Sequence, residues 1–234
     1  MSGVGAGPLF TRSFLLATKP DQIKTRDRVR DLAEVYTHER EVHAMLDLVS
    51  DTFPNEGNPG NHDRTFLEPA CGSGNFLEEI LTRKLSTVTA KRYGRGEKYE
   101  HRILRCLASI YGIDIDQDNV LQARHRMRAL IASQFDNDWN TQPPSVGLAT
   151  AAEVILGTNI IRADTLADGQ KIELVRYDPG RRGTFTREWS LLKEPETQLD
   201  LFGAPALTEP RKDGIPVHYS HLVFSPNKPV VALE

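Results

Sequence analysis

Three short apolar runs constrain this chain most, because each opens its following loop on an acid. Thr65–Leu67 runs into Glu68, Ser109–Ile113 ends at Asp114, and Asn159–Ala163 ends at Asp164. Helical patterns separate them. Phe76, Leu77, Ile80, Leu81 and Leu85 share one helical face, residues 101–108 read as a helix, and residues 118–133 form another amphipathic stretch. Parallel strands need a crossover between them, usually a helix. The order strand, helix, strand, helix, strand therefore predicts an α/β fold, mostly a parallel sheet with helices on both faces. Such open sheets bind ligands at the carboxyl ends of their strands.

The first of those ends carries Glu68-Pro69-Ala70-Cys71-Gly72-Ser73-Gly74-Asn75. Paired glycines let a backbone turn sharply and approach a ligand closely. The helix that follows presents unsatisfied N–H groups at its start. Asp114 ends the next strand, where an acid can accept both hydroxyls of a ribose, and Ile115 is placed to pack on a base. Asp164 can accept a hydrogen bond from an adenine amino group. Three ligand-competent strand ends in succession predict one nucleoside site.

Outside this centre the texture changes. Residues 1–52 read as an N-terminal helical arm, with Ile23, Val29, Leu32 and Ala33 at helical intervals and a second helix after Thr37 whose apolar face is Val42, Met45, Leu46 and Val49. Residues 53–168 form the α/β core. Residues 169–234 are expected to hold a hairpin (residues 171–176 and 184–192), a Pro-rich loop at 195–216 and one more strand after His218.

The net charge of −3 excludes a protein that coats nucleic acid with its whole surface, so any such contact must be local or come from another part. The basic stretch Lys91, Arg92, Arg95, Lys98, Arg102 and Arg105 is interrupted by Glu97 and Glu100 and reads as a solvated face. Two cysteines, Cys71 and Cys106, without metal-like spacing argue against a disulfide framework and a zinc site, and a reducing cytoplasm is the expectation. No apolar run approaches the ~20 residues of a membrane span, and the start of the chain lacks the pattern of a signal peptide.

Residues 66–77, Phe-Leu-Glu-Pro-Ala-Cys-Gly-Ser-Gly-Asn-Phe-Leu, resemble the S-adenosyl-L-methionine signature of the adenine-specific DNA methyltransferases of restriction–modification systems. Tyr111-Gly112-Ile113-Asp114-Ile115-Asp116 resembles their second motif and Arg162-Ala163-Asp164-Thr165-Leu166 their third. Upstream, Ala33-Glu34-Val35-Tyr36-Thr37 is similar to the element that closes over the methionine end of the cofactor. It departs in Ala33, where the family has Gly, and in the following His38, where it has Pro. This order of motifs resembles the gamma arrangement. The resemblance spans about residues 21–166 and implies a Rossmann-like methyltransferase fold. By position, Glu68 would hold the methionine amino group, and the backbone of Pro69, Ala70, Cys71, Gly72, Gly74 and Asn75 would line the cofactor. Asp114 would bind the ribose, Ile115 would pack on the adenine, and Asp164 with Thr165 would meet its amine. Tyr36 and Thr37 would cover it.

The family's catalytic loop, an Asn or Asp followed by two prolines and an aromatic, does not occur here. Asp178-Pro179-Gly180 lacks the second proline and the aromatic, and Ser225-Pro226-Asn227-Lys228-Pro229 has the wrong order. No catalytic residue and no metal ligand is therefore assigned. The expectation is an expressed fragment ending before the fourth strand, with Leu233-Glu234 as a cloning scar. One half of a split enzyme and a cofactor-binding relic remain open. The resemblance implies S-adenosyl-L-methionine as cofactor, DNA as partner of the full-length protein, and a restriction subunit or fused nuclease as companion. The oligomeric state stays open. An RNA or protein-glutamine methyltransferase, or a non-catalytic cofactor-binding subunit, is the alternative.

Overall fold

The computed structural model describes residues 37–55, 57–136, 143–192 and 211–224. The chain divides after His38, and the unit that begins at Glu39 holds every element below. Tyr36 lies outside the described residues, as do the helical pattern before it and most of the Pro-rich stretch.

The structure is mixed α/β. β1 (Phe66–Glu68), β2 (Ile110–Asp114) and β3 (Ile160–Arg162) form a parallel sheet in the order β1-β2-β3. Between β1 and β2 run α2 (Asn75–Leu85), the short α3 (Ala90–Tyr93) and α4 (Glu97–Ala108). Between β2 and β3 run α5 (Gln117–Asp136) and α6 (Val146–Asn159). Preceding them, α1 (Glu39–Asp47) packs on α2, burying Val42 and Leu46. Met45 and Val49, expected on the same apolar face, are exposed.

Helix and sheet meet closely because small residues permit it. A Cβ on Gly112 of β2 would lie 2.6 Å from Leu77 Cδ1 of α2, and one on Gly74 would lie 2.8 Å from the Cβ of Ala123 on α5. Thus α2 and α5 cover one face of the sheet and pack on each other. Tyr111 points the opposite way, since side chains alternate along a strand, and its hydroxyl donates to the Val175 carbonyl at 3.2 Å.

Val175 belongs to a second, antiparallel sheet of β4 (Glu173–Pro179), β5 (Thr184–Leu191), β6 (Arg211–Lys212) and β7 (Val217–His218). The expected hairpin is therefore present, but as its own sheet. Among the described residues β1 pairs only with β2, and Leu67 is 44% exposed rather than buried as the apolar run suggested.

α6 carries no polar stripe, so its sequence shows no helical period. Its start is fixed by Ser145, whose hydroxyl accepts from Leu148 N–H at 3.0 Å and donates to the buried Glu100 at 2.6 Å. Tyr219 O–H donates to the same carboxylate at 2.6 Å. Beneath the sheet, the fully buried Lys84 ammonium donates to the carbonyls of His62 (3.0 Å) and Arg64 (2.6 Å) and to Ser109 Oγ (2.9 Å). Burial pushes that amine down to about 8. Cys71 and Cys106 are free and buried, and no helix among the described residues is long and apolar enough to cross a membrane.

Candidate functional site

At the carboxyl edge of the parallel sheet the three acid-bearing loops are tied to one another. Loop one meets strand two where Cys71 N–H donates to the Ile113 carbonyl at 2.9 Å and Gly72 N–H donates to Asp114 Oδ2 at 2.8 Å. Loop two meets loop three where Ala163 N–H donates to the Asp114 carbonyl at 3.0 Å and Arg162 Nε donates to the Ile115 carbonyl at 3.0 Å. Loop three returns to loop one through Thr165 Oγ1, which donates to the Pro69 carbonyl at 2.8 Å. Gly72, Asp114 and Asp164 thus belong to one constellation.

The glycine loop turns by positive φ at Gly72 (52°) and Gly74 (91°). Gly74 is required by the approach of α5, but a Cβ on Gly72 would meet nothing within 4 Å. The backbone at Gly72 is open on its side-chain face, as close approach of a ligand demands. Asn75 begins α2, and its Oδ1 accepts from Arg126 Nη1 at 2.5 Å. Arg126 also donates to the Ser73 carbonyl at 3.2 Å and pairs with Glu78, so one guanidinium braces the whole loop.

Asp114 is more heavily engaged than its position suggested. Besides Gly72 N–H it accepts Asp116 N–H (2.9 Å) and Asn119 Nδ2 (3.2 Å). A carboxylate offers about four lone-pair directions, so one is left. The expectation that it takes both hydroxyls of a ribose is met only if Asn119, the longest of these bonds, gives way. Asp164 Oδ1 accepts Leu166 N–H and Ala167 N–H, both at 2.9 Å. Ile115 (51% exposed) and Leu166 (93% exposed) are large apolar side chains left uncovered beside these acids.

The electrostatics are negative. Burial raises the Glu68 carboxyl above its usual range, against a lowering by its long bond from Ala70 N–H (3.4 Å). The Cys71 thiol is pushed up to about 12 by burial and by the carboxylates of Asp114 and Glu68. Its Sγ lies 3.2 Å from the position a Gly112 Cβ would take, so Cys71 packs under the loop and contributes only backbone to the site. Such burial disfavours the thiolate on which nucleophilicity depends.

Asn119 and Arg126 escaped sequence reasoning. Arg124, Arg126 and Arg128 spread around α5, and each has a separate partner: Arg124 Nε caps the end of α6 at the Ile160 carbonyl (2.8 Å), and Arg128 pairs with Glu153. Asp178 and Pro179 end β4 and line a cavity of about 90 Å³ with Thr65, Ser109 and Tyr111. Thr65 and Ser109 precede β1 and β2, so this cavity opens at the amino edge, away from Asp114. Among the described residues no group of three or more His, Cys, Asp or Glu side chains is placed to hold a metal ion. Thr37 stands two residues before α1. Compared with known proteins, the chain matches no family model, no curated protein and no solved structure.

Proposed function

We propose that this chain binds S-adenosyl-L-methionine at the carboxyl edge of its parallel sheet, as the cofactor-binding part of a Rossmann-like DNA methyltransferase that modifies the exocyclic amine of adenine in a restriction–modification system. The observation that carries the reading is the mutual tethering of the loops after β1, β2 and β3, which gathers Gly72, Asp114 and Asp164.

The residues present fit such a cofactor. Glu68 is a partly desolvated carboxylate that accepts a long hydrogen bond from Ala70 N–H (3.4 Å), so an ammonium beside it would favour its charged form. Gly72 leaves room for a ligand against its backbone. Asp114 retains one acceptor direction for a ribose hydroxyl, and Ile115 supplies an apolar surface for a flat base. Asp164 has its second carboxylate oxygen to offer an amine. Bound there, the sulfonium supplies an electrophilic methyl group, and the protein's task is to hold the reactants in line.

The sequence contains no Asn-Pro-Pro-aromatic loop to accept the target amine and stack on a flipped base. The chain is accordingly proposed to bind cofactor and to show no turnover by itself. Calorimetric titration with S-adenosyl-L-methionine and with its demethylated product tests this. Wild type is expected to bind both, and Asp114→Ala is expected to lose roughly 2 kcal/mol or more of affinity. Unchanged affinity in that variant, with its fold intact by circular dichroism, contradicts the assignment.

A further inference from the structure

A row of cations, most of them without an acid partner among the described residues, runs along α4 and the short α3 before it. Lys98, Arg102 and Arg105 stand at i, i+4 and i+7, one face of the helix, and Lys91 and Arg92 extend the row on α3. Arg92 and Arg102 both place their guanidinium carbons near the Tyr93 ring, at 5.7 and 4.9 Å from its centroid. Lys91, Arg92 and Lys98 are exposed, and neither they nor Arg102 forms an ion pair among the described residues.

Among the described residues the neighbouring acids pair with none of Lys91, Arg92, Lys98 and Arg102. Glu97 lies 3.7 Å from His218 Nε2, Glu100 is buried and receives Ser145 and Tyr219, and Asp63 pairs with Arg105. The consequence is felt inside the fold. Burial first, and then the charge of Arg105, makes protonated Arg102 less favourable than usual, and Arg102 and Arg105 add to the burial that lowers the buried His62 and His101. Crowded like charges on a chain of net charge −3 cost stability unless something outside compensates them.

We propose that this face, whose residues form no part of the proposed cofactor site, grips the phosphate backbone of duplex DNA without reading its sequence. From Lys98 to Arg105 the helix advances about 10 Å, and over that length a duplex presents about six phosphate charges. Cations on one helix face, with two guanidiniums beside one aromatic ring, complement such a line of phosphates in charge, whereas a membrane surface needs only diffuse charge. None of these cations belongs to the proposed cofactor site, so the contact has a holding role. The proposal shares with the functional reading only the partner, and cofactor titration separates the two.

The test uses the full chain and the variant Lys91→Glu/Arg92→Glu/Lys98→Glu, three exposed positions outside the cofactor site. Binding to a labelled mixed-sequence duplex is followed by anisotropy across a salt series. Phosphatidylcholine vesicles containing phosphatidylserine serve as a second anionic probe. Wild type is expected to bind duplex with affinity that falls as salt rises. The variant is expected to bind at least tenfold more weakly, with a log–log salt slope shallower by about 2.7. Its melting temperature and its S-adenosyl-L-methionine affinity should match wild type. Equal duplex binding by the two proteins, no duplex binding by wild type at low salt, or capture by the vesicles and not by DNA overturns the proposal. Loss of cofactor binding in both proteins overturns the functional reading and leaves this one standing.

Discussion

Gly72 and Gly74 are two residues apart, both at positive φ, and are needed for different reasons. Alanine at Gly74 would add a clash with Ala123, 2.8 Å from Cβ to Cβ and 3.0 Å to its Cα, to a left-handed backbone that disfavours side chains. Gly74→Ala is expected to lower stability by about 2–4 kcal/mol, read from urea denaturation. Gly72→Ala meets no neighbour and should cost only about 1 kcal/mol of backbone strain, while filling the space proposed for the cofactor. Its signature is a loss of cofactor affinity larger than its loss of stability. Equal effects of both alanines on folding would show that Gly72 serves packing alone. Asp114 was legible as a site residue from the acid at its strand end, but its hold on the glycine loop was not, because Gly72 stands forty-two residues away in sequence.

At the level of elements, legibility followed periodicity. β2, α2, α5 and the β4–β5 hairpin carry alternating or helical patterns and were found within a few residues. α6 is not legible in the sequence because Val146–Asn159 is apolar nearly all round, which hides a helical period. The apolar run Phe66-Leu67 suggests a buried strand, yet among the described residues β1 pairs on one side only, and Leu67 is uncovered.

Two histidines join elements that no pattern connects. His62 Nε2 meets Thr87 Oγ1 at 2.9 Å, and His101 Nε2 donates to the Thr184 carbonyl of β5 at 3.1 Å. Burial lowers both from 6.5 to about 4. The unfolded chain therefore takes up these protons first as the solution is acidified, and stability declines from about pH 6.5 down through pH 4. Both sites steepen the loss of stability across that window. Urea denaturation at a series of pH values should show this slope in wild type and a much flatter one in His62→Gln/His101→Gln. An unchanged slope in the double variant would place the acid sensitivity elsewhere.

For the whole molecule, the three-stranded parallel sheet gathers the proposed cofactor loops at its carboxyl edge, while the proposed DNA contact uses other residues, on α3 and α4. With S-adenosyl-L-methionine carrying a labelled methyl group and an adenine-containing duplex, the chain by itself is expected to transfer no label, because its sequence holds no Asn-Pro-Pro-aromatic loop to accept the amine; incorporation into adenine would refute that division of labour. The most direct measurement is the amide spectrum of the isotopically labelled protein during addition of S-adenosyl-L-methionine. Gly72, Ile115, Asp116 and Leu166 should shift together with one common saturation curve, while Asp178 and Tyr177 at the opposite edge stay still. Shifts confined to one loop, or to the amino-edge cavity, would contradict a single site built from three strand ends.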